Sequence, residues 1–197
     1  MKCATWCIVV ISLLVVSSVP QVQADVTLPK VIASHMVLQR DRALPIWGWA
    51  APDEEVTVKL DEAAATAKAD AQGNWKVVLP AVKADGKTHS MTVTGKNKIE
   101  LDDILIGDVW VGSGQSNMEM GITACDKAKE EVPAANYPQI RLMLVPKTQV
   151  PAPAKDVKAD WVECSPKTVA AGGWAVSRPR CFTSASGCTR NWTCRSG

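Results

Sequence analysis

The chain holds 197 residues, with 22 lysines and arginines against 20 aspartates and glutamates and a formal net charge of +2. That length admits one ordinary domain or two small ones. A balance so close to neutrality offers no field to draw the molecule to nucleic acid or anionic lipid, and neither partner is expected.

Residues 1–24 read as a cleaved secretory signal peptide. Lys2 precedes an apolar run at 3–19, Pro20 ends it, and Val22 and Ala24 stand at the positions signal peptidase inspects before Asp25. The run is shorter than the ~20 residues of a spanning helix, which favours cleavage over an uncleaved anchor. The expected location is secreted or periplasmic, with cleavage at about Ala24/Asp25 and no membrane contact afterwards.

From 25 to 107 the signals are those of short strands. "EVTVKL" puts Val56, Val58 and Leu60 on one face, "SMTVTG" does the same with Met91 and Val93, and "AQGNWKVVLP" offers a Gly-Asn turn before Trp75, Val77 and Leu79. Prolines and glycines punctuate the stretch at turn-like intervals. An antiparallel β-sandwich domain follows from this pattern. Trp47 and Trp49 in "LPIWGWA" share a strand face; a sugar-stacking platform is conceivable, but with no polar partners around them the pair reads as core. His35 and His89, the chain's two histidines, both fall in this domain and are assigned core or solvent-facing roles.

At Asp108 the period changes. "ILIGDVWVG" is nearly continuous in apolar residues, as expected of a strand buried on both faces of a parallel sheet, and a helix can follow through "CDKAKEEV". "QIRLMLVP" (139–146) reads as a second buried strand, and strand, helix, strand is the mark of an α/β layer. A proline-rich extended loop should then run to about Trp161. In this region Cys125 and Cys164 are compatible with a disulfide or with two free buried thiols; the mature chain has five cysteines in all, without the spacing of a zinc site.

The final segment, 175–197, is of another composition: four arginines, three cysteines, and no lysine, acid, leucine or isoleucine. It can bury almost nothing, and the "NWT" sequon at Asn191 is read as a chance match. The abrupt switch in usage predicts a frameshifted or disordered tail.

The chemistry centres on "VWVGSGQSNMEM". Ser116 stands where a buried strand turns into a helix, so its hydroxyl would project above the sheet edge, and the free backbone N–H groups of the helix start would face a developing oxyanion. A helix N-cap serine has the same local spacing. "GDVWVGSGQSNMEM" resembles the first motif block of the SGNH hydrolases, in the form found in the sialate O-acetylesterase family, where Gly-Gln-Ser-Asn-Met carries the catalytic serine. "MVLQRD" (36–41), "PIWGWA" (45–50), "GNWKVVLP" (73–80), "NYPQIRL" (136–142) and "WVECSP" (161–166) resemble the same family in the same order.

The resemblance implies an all-β unit followed by an SGNH-type, flavodoxin-like three-layer α/β hydrolase domain, with boundaries at 25–107 and 108–174. It implies a secreted carbohydrate esterase that hydrolyses O-acetyl esters of sialic acid or related sugars. Ser116 would be the nucleophile and supply one oxyanion N–H; Gln115 and Asn117 would shape the site. No metal and no organic cofactor are implied. The family takes its base from an Asp-x-x-His late in the hydrolase domain, and this sequence has none: Ile32 and Gly86 stand three residues before the two histidines. The hydrolase domain is therefore expected to be incomplete, truncated or frameshifted after about Trp174, and this polypeptide weakly active or inactive. Two competing expectations are a secreted carbohydrate-binding β-sandwich with a vestigial hydrolase segment, using Trp47, Trp49 and Trp75, and a chain that folds no further than its β domain. Oligomeric state is not legible.

Overall fold

Alternation decides which side chains of the first hundred residues go inside. In a computed structural model, which describes residues 25–112, 121–124 and 126–171, Val56, Val58 and Leu60 of strand β3 (Glu55–Leu60) are all buried. So are Met91 and Val93 of β6 (Thr88–Thr94), and Trp75, Val77 and Leu79 of β5 (Asn74–Leu79). The remaining strands of this unit are β1 (Val37–Gln39), β2 (Leu44–Trp49), β4 (Ala63–Lys68) and β7 (Lys98–Gly107). Five of them form one sheet in the order β1-β7-β6-β3-β4, and β2 pairs with β5 in a second. Both sheets contribute to a single apolar core that includes Ile46, Val58, Leu79, Met91 and Ile104.

The larger sheet is mixed, not purely antiparallel as the sequence suggested. β1 runs parallel to β7, with Val37 opposite Leu105 and Gln39 opposite Gly107. A strand of three residues has no alternation to read, so nothing local signals this pairing. β7 carries a bulge: Met91 to His89 spans two steps on β6 while Leu101 to Ile104 spans three on β7. Asp103 sits there with φ 54, a left-handed conformation that aspartate tolerates better than most residues.

The phase of β2 overturns the reading of its tryptophans as core. Leu44, Ile46 and Gly48 face inward, Trp47 is 39% exposed and Trp49 half-buried. The core space belongs to Trp75, 3% exposed, which lies against Gly48: a Cβ there would meet Trp75 Cζ2 at 2.8 Å and Thr27 O at 2.2 Å. The predicted turn before β5 is formed by Asp70, whose Oδ1 accepts from the Gln72 and Asn74 N–H groups at 2.9 and 2.8 Å, with Gly73 at φ 80.

Past Gly107 the expected continuous strand does not form. Residues 108–112 are outside any strand and Trp110 and Val111 are 61% and 91% exposed. The reason is that β1 has ended, leaving no neighbouring backbone to extend the ladder. A 3₁₀ turn (Ile122–Ala124), helix α1 (Ala128–Ala134), β8 (Tyr137–Met143), β9 (Trp161–Cys164) and α2 (Pro166–Ala171) follow. β8 pairs antiparallel with β9, so among the described residues this region has no parallel strand pair. Residues 144–160 form the extended, mostly exposed connection. No helix of the described residues is long and apolar enough to cross a membrane.

Candidate functional site

Gln115, Ser116 and Asn117 lie outside the described residues. The approach to them is described in detail. Where β7 ends, the Arg40 N–H donates to the Gly107 carbonyl at 2.9 Å. The Arg40 side chain then grips Asp108 with both arms, Nε to Oδ1 at 2.9 Å and Nη2 to Oδ2 at 3.2 Å. One residue on, Val109 N–H donates to the side-chain oxygen of Gln39 at 2.9 Å. Gln39 thus supplies from its side chain the acceptor that a longer β1 would have supplied from its backbone. The Arg40 hydrogen bond, with its charge in support, holds the Asp108 carboxyl below the usual range against the opposing effect of burial. Asp108 in turn raises Arg40.

On the far side of the motif, Ile122 enters a small core with Ala135, Cys164 and Val169, and Val132, Ile140 and Leu142 pack against it. Cys164 is a free, buried thiol; Cys125 lies outside the described residues. Burial pushes the Cys164 thiol up to about 11, only partly opposed by the Tyr137 backbone hydrogen bond. A thiol held protonated at neutral pH is a poor nucleophile, so Cys164 does not compete with a serine for that role. The open depression on α1, lined by Thr123, Ala128, Lys129, Val132 and Pro133, holds no acid and no histidine.

Both histidines are paired with carboxylates. His89 faces Asp61 through Nδ1 at 2.5 Å and Asp85 through Nε2 at 3.2 Å. His35, another residue at positive φ, brings Nδ1 to 2.6 Å from Asp103 Oδ2. Asp103 is also held by Arg141, whose Nη2 donates to both carboxylate oxygens at 2.7 and 2.6 Å. Arg141 Nη1 donates to the Pro138 carbonyl and lies 3.7 Å from Glu163. The His35, Asp103 and Glu163 ligand atoms fall within 4.8 Å of one another. A divalent cation there would sit against a guanidinium that already occupies both Asp103 oxygens, so the arrangement suits an ion-pair network and not a metal centre. Four residues of β7, Ile104 to Gly107, separate Asp103 from Asp108, five steps or roughly 16 Å at strand spacing.

This network fastens β8 and β9 to the β unit, assisted by Trp161 Nε1 donating to the Val31 carbonyl at 2.9 Å and Lys30 N–H to Asp156 at 2.9 Å. Arg141, Asp103, Gln39, Arg40 and Asp108 were not singled out by reading the sequence. Arg141 had a visible signal, a lone cation inside an apolar strand, which must find a buried partner. "QRD" had none beyond the resemblance itself.

No protein-family model matches the chain. It is 35% identical over 141 residues to a sialate O-acetylesterase of Pongo abelii and 34% identical over 141 residues to that of Homo sapiens, in each case 65% of this chain and 27% of the relative. It spans about a quarter of the length of these curated relatives. Among solved structures it resembles a carbohydrate acetylesterase from Xanthomonas citri, with TM-score 0.69 and 38% identity, over 76% of this chain and 34% of that one.

Proposed function

We propose that this chain, similar to sialate O-acetylesterases over the residues it shares with those relatives, is the nucleophile-bearing part of an exported carbohydrate esterase. Its substrates are O-acetyl esters of sialic acid or related sugars. The observation that carries the reading is "GDVWVGSGQSNMEM" following directly on β7, with its first residues gripped by Gln39 and Arg40. Ser116 attacks the acetyl carbonyl, and its own N–H helps hold the oxyanion while Gln115 and Asn117 shape the site. The acetyl group passes to Ser116 Oγ, the sugar leaves as the alcohol, and water releases acetate. The domain around it is the beginning of an SGNH-type α/β hydrolase, preceded by a β-sandwich unit, and residues 1–24 direct export.

Ser116 needs a base. Each histidine of the chain already faces a carboxylate within the β unit, and no Asp-x-x-His occurs, so this polypeptide should turn over slowly. Acetate release from O-acetylated sialic acid, measured on the purified chain, should be slow and should vanish with Ser116→Ala. Release that survives the substitution, or no release and no acetylated Ser116 in the wild type, would overturn the reading.

The exposure of Trp47 favours one other reading, a carbohydrate-binding surface on the outer face of β2 and β5, where Lys76 stands opposite it. Trp75, being buried, takes no part in such a surface. Glycan binding lost in Trp47→Ala, with no acetate release, would decide for it.

A further inference from the structure

We propose that the outer face of β2 and β5 is a binding site for a carboxylate-bearing sugar, its ring laid on the Trp47 indole and its acid group taken by Lys76. This deepens the carbohydrate-binding reading given above, on which it rests, and needs nothing of Ser116. Strand register builds the face. In the antiparallel pairing Pro45 stands opposite Val78, Trp47 opposite Lys76 and Trp49 opposite Asn74, while Leu44, Ile46, Trp75, Val77 and Leu79 are buried on the other side. The outward face of a half-solvated strand pair is ordinarily polar. Here Pro45, Trp47 and Val78 are left in water, Trp47 39% and Val78 56% exposed. Asn74 adds no free polar group, because its Nδ2 donates to the two Asp70 oxygens at 3.2 and 3.1 Å.

Lys76 carries the specificity. Among the described residues its ammonium has neither an ion-pair nor a hydrogen-bond partner, and none of the outward positions of the pair is acidic. Asp70, at the turn leading into β5, is already committed to the Gln72 and Asn74 N–H groups. Directly opposed residues have Cβ atoms about 4.5–5.5 Å apart, so the flexible lysine stem brings an uncompensated charge within reach of anything lying on the indole. A ligand that fits must cover an aromatic ring with an apolar face, keep its edge in water and present an anion at one side. A pyranose carrying a carboxylate, as in a sialic or uronic acid, meets all three demands. A neutral sugar meets the first two, and a bare anion only the last.

The test is a titration of the full chain carrying Ser116→Ala, with sialyllactose and with lactose, followed at the indole N–H resonances. Sialyllactose should shift the Trp47 signal saturably and leave that of buried Trp75 in place, and lactose should bind about threefold to fivefold more weakly. Lys76→Gln should erase that difference and Lys76→Arg should keep it. Added sodium chloride should erase it as well, since the charge is exposed. Trp47→Ala, read from the broadening of the ligand's own signals, should weaken both sugars about tenfold. The unmoved Trp75 resonance checks that each variant is folded. Equal affinity for the two sugars, a preference that survives Lys76→Gln, or binding that survives Trp47→Ala would overturn the proposal. If neither sugar binds, the carbohydrate-binding reading falls with it; if both bind equally at Trp47, that reading stands and only the acidic ligand is wrong.

Discussion

Arg141 in β8 and Asp103 in the bulge of β7 form a two-point contact, Nη2 to both carboxylate oxygens at 2.7 and 2.6 Å, with the Arg141 side chain 2% exposed. One partner belongs to the β unit and the other to the segment after the serine motif. Removing the guanidinium takes from Asp103 and Glu163 the cation they share; removing the Asp103 carboxylate leaves the buried guanidinium with Glu163, 3.7 Å away, as its remaining carboxylate.

Arg141→Met should therefore destabilise the chain by about 2–4 kcal/mol, somewhat below the loss for a fully buried pair because Asp103 is partly exposed. Urea unfolding with tryptophan emission would measure it. Combined with Asp103→Asn, the loss should be smaller than the sum of the two single losses. Strict additivity would show that the contact is not a functional pair.

Trp75 and Trp47 should behave oppositely. Trp75→Ala should cost about 3–5 kcal/mol, as emptying a packed aromatic site does, whereas Trp47→Ala should stay within about 0.5 kcal/mol. Gly48→Ala should be destabilising by about 1–3 kcal/mol or more, because the clash is with the Thr27 backbone oxygen, which cannot swing aside. A neutral Gly48→Ala in thermal melts would contradict the packing described.

Acid should weaken the fold at identifiable carboxylates. Asp108 is held low by Arg40, and Asp70 by the Asn74 side chain and then its backbone N–H. A folded value depressed below the unfolded one, about 3.9 for aspartate, means stabilisation that is fully present above that pH and lost as pH falls through the folded value. Tm should drop as pH is lowered from about 5 towards 2.5. Asp70→Asn and Asp108→Asn should each flatten that drop; a wild-type slope in both variants would remove these groups as its source.

Cys164 should resist alkylation while the chain is folded. With its thiol pushed up to about 11, roughly one molecule in a thousand carries the thiolate at pH 8. Iodoacetamide labelling, followed at the Cys164 peptide, should be slow in buffer and fast in urea. Equal rates in both would place the thiol in water.

The legible part of the fold was the part with a local cause. "EVTVKL", "SMTVTG" and "NWKVVLP" alternate, and each buries the residues its alternation selected. "LPIWGWA" misled because a tryptophan pair with no polar partners around it reads as core, while the decision to bury Gly48 is made by Trp75 on the partner strand. "DVWVG" looked buried because it is apolar, yet its exposure follows from where β1 stops. Of the candidate site, the motif around Ser116 was visible as a break in pattern. Its supports were not: Arg40 and Asp108 are 68 positions apart and Asp103 and Arg141 are 38 apart, and such pairings exist only once the chain has folded.

The parallel pairing of β1 with β7 also bears on how the polypeptide leaves the ribosome. Val37 to Gln39 can find their neighbour only after residue 107 has emerged, some 68 positions later, which at about 5–20 residues per second is a delay of roughly 3–14 s. During that interval β2 and β5 can zip together and β3, β4 and β6 can assemble. The stretch "MVLQ" meanwhile remains an apolar tail open to chaperones. The last rung to close in the β unit is then the one that brings Gln39 and Arg40 up to Val109 and Asp108, so these contacts would be made at the same moment that the nascent sheet is sealed.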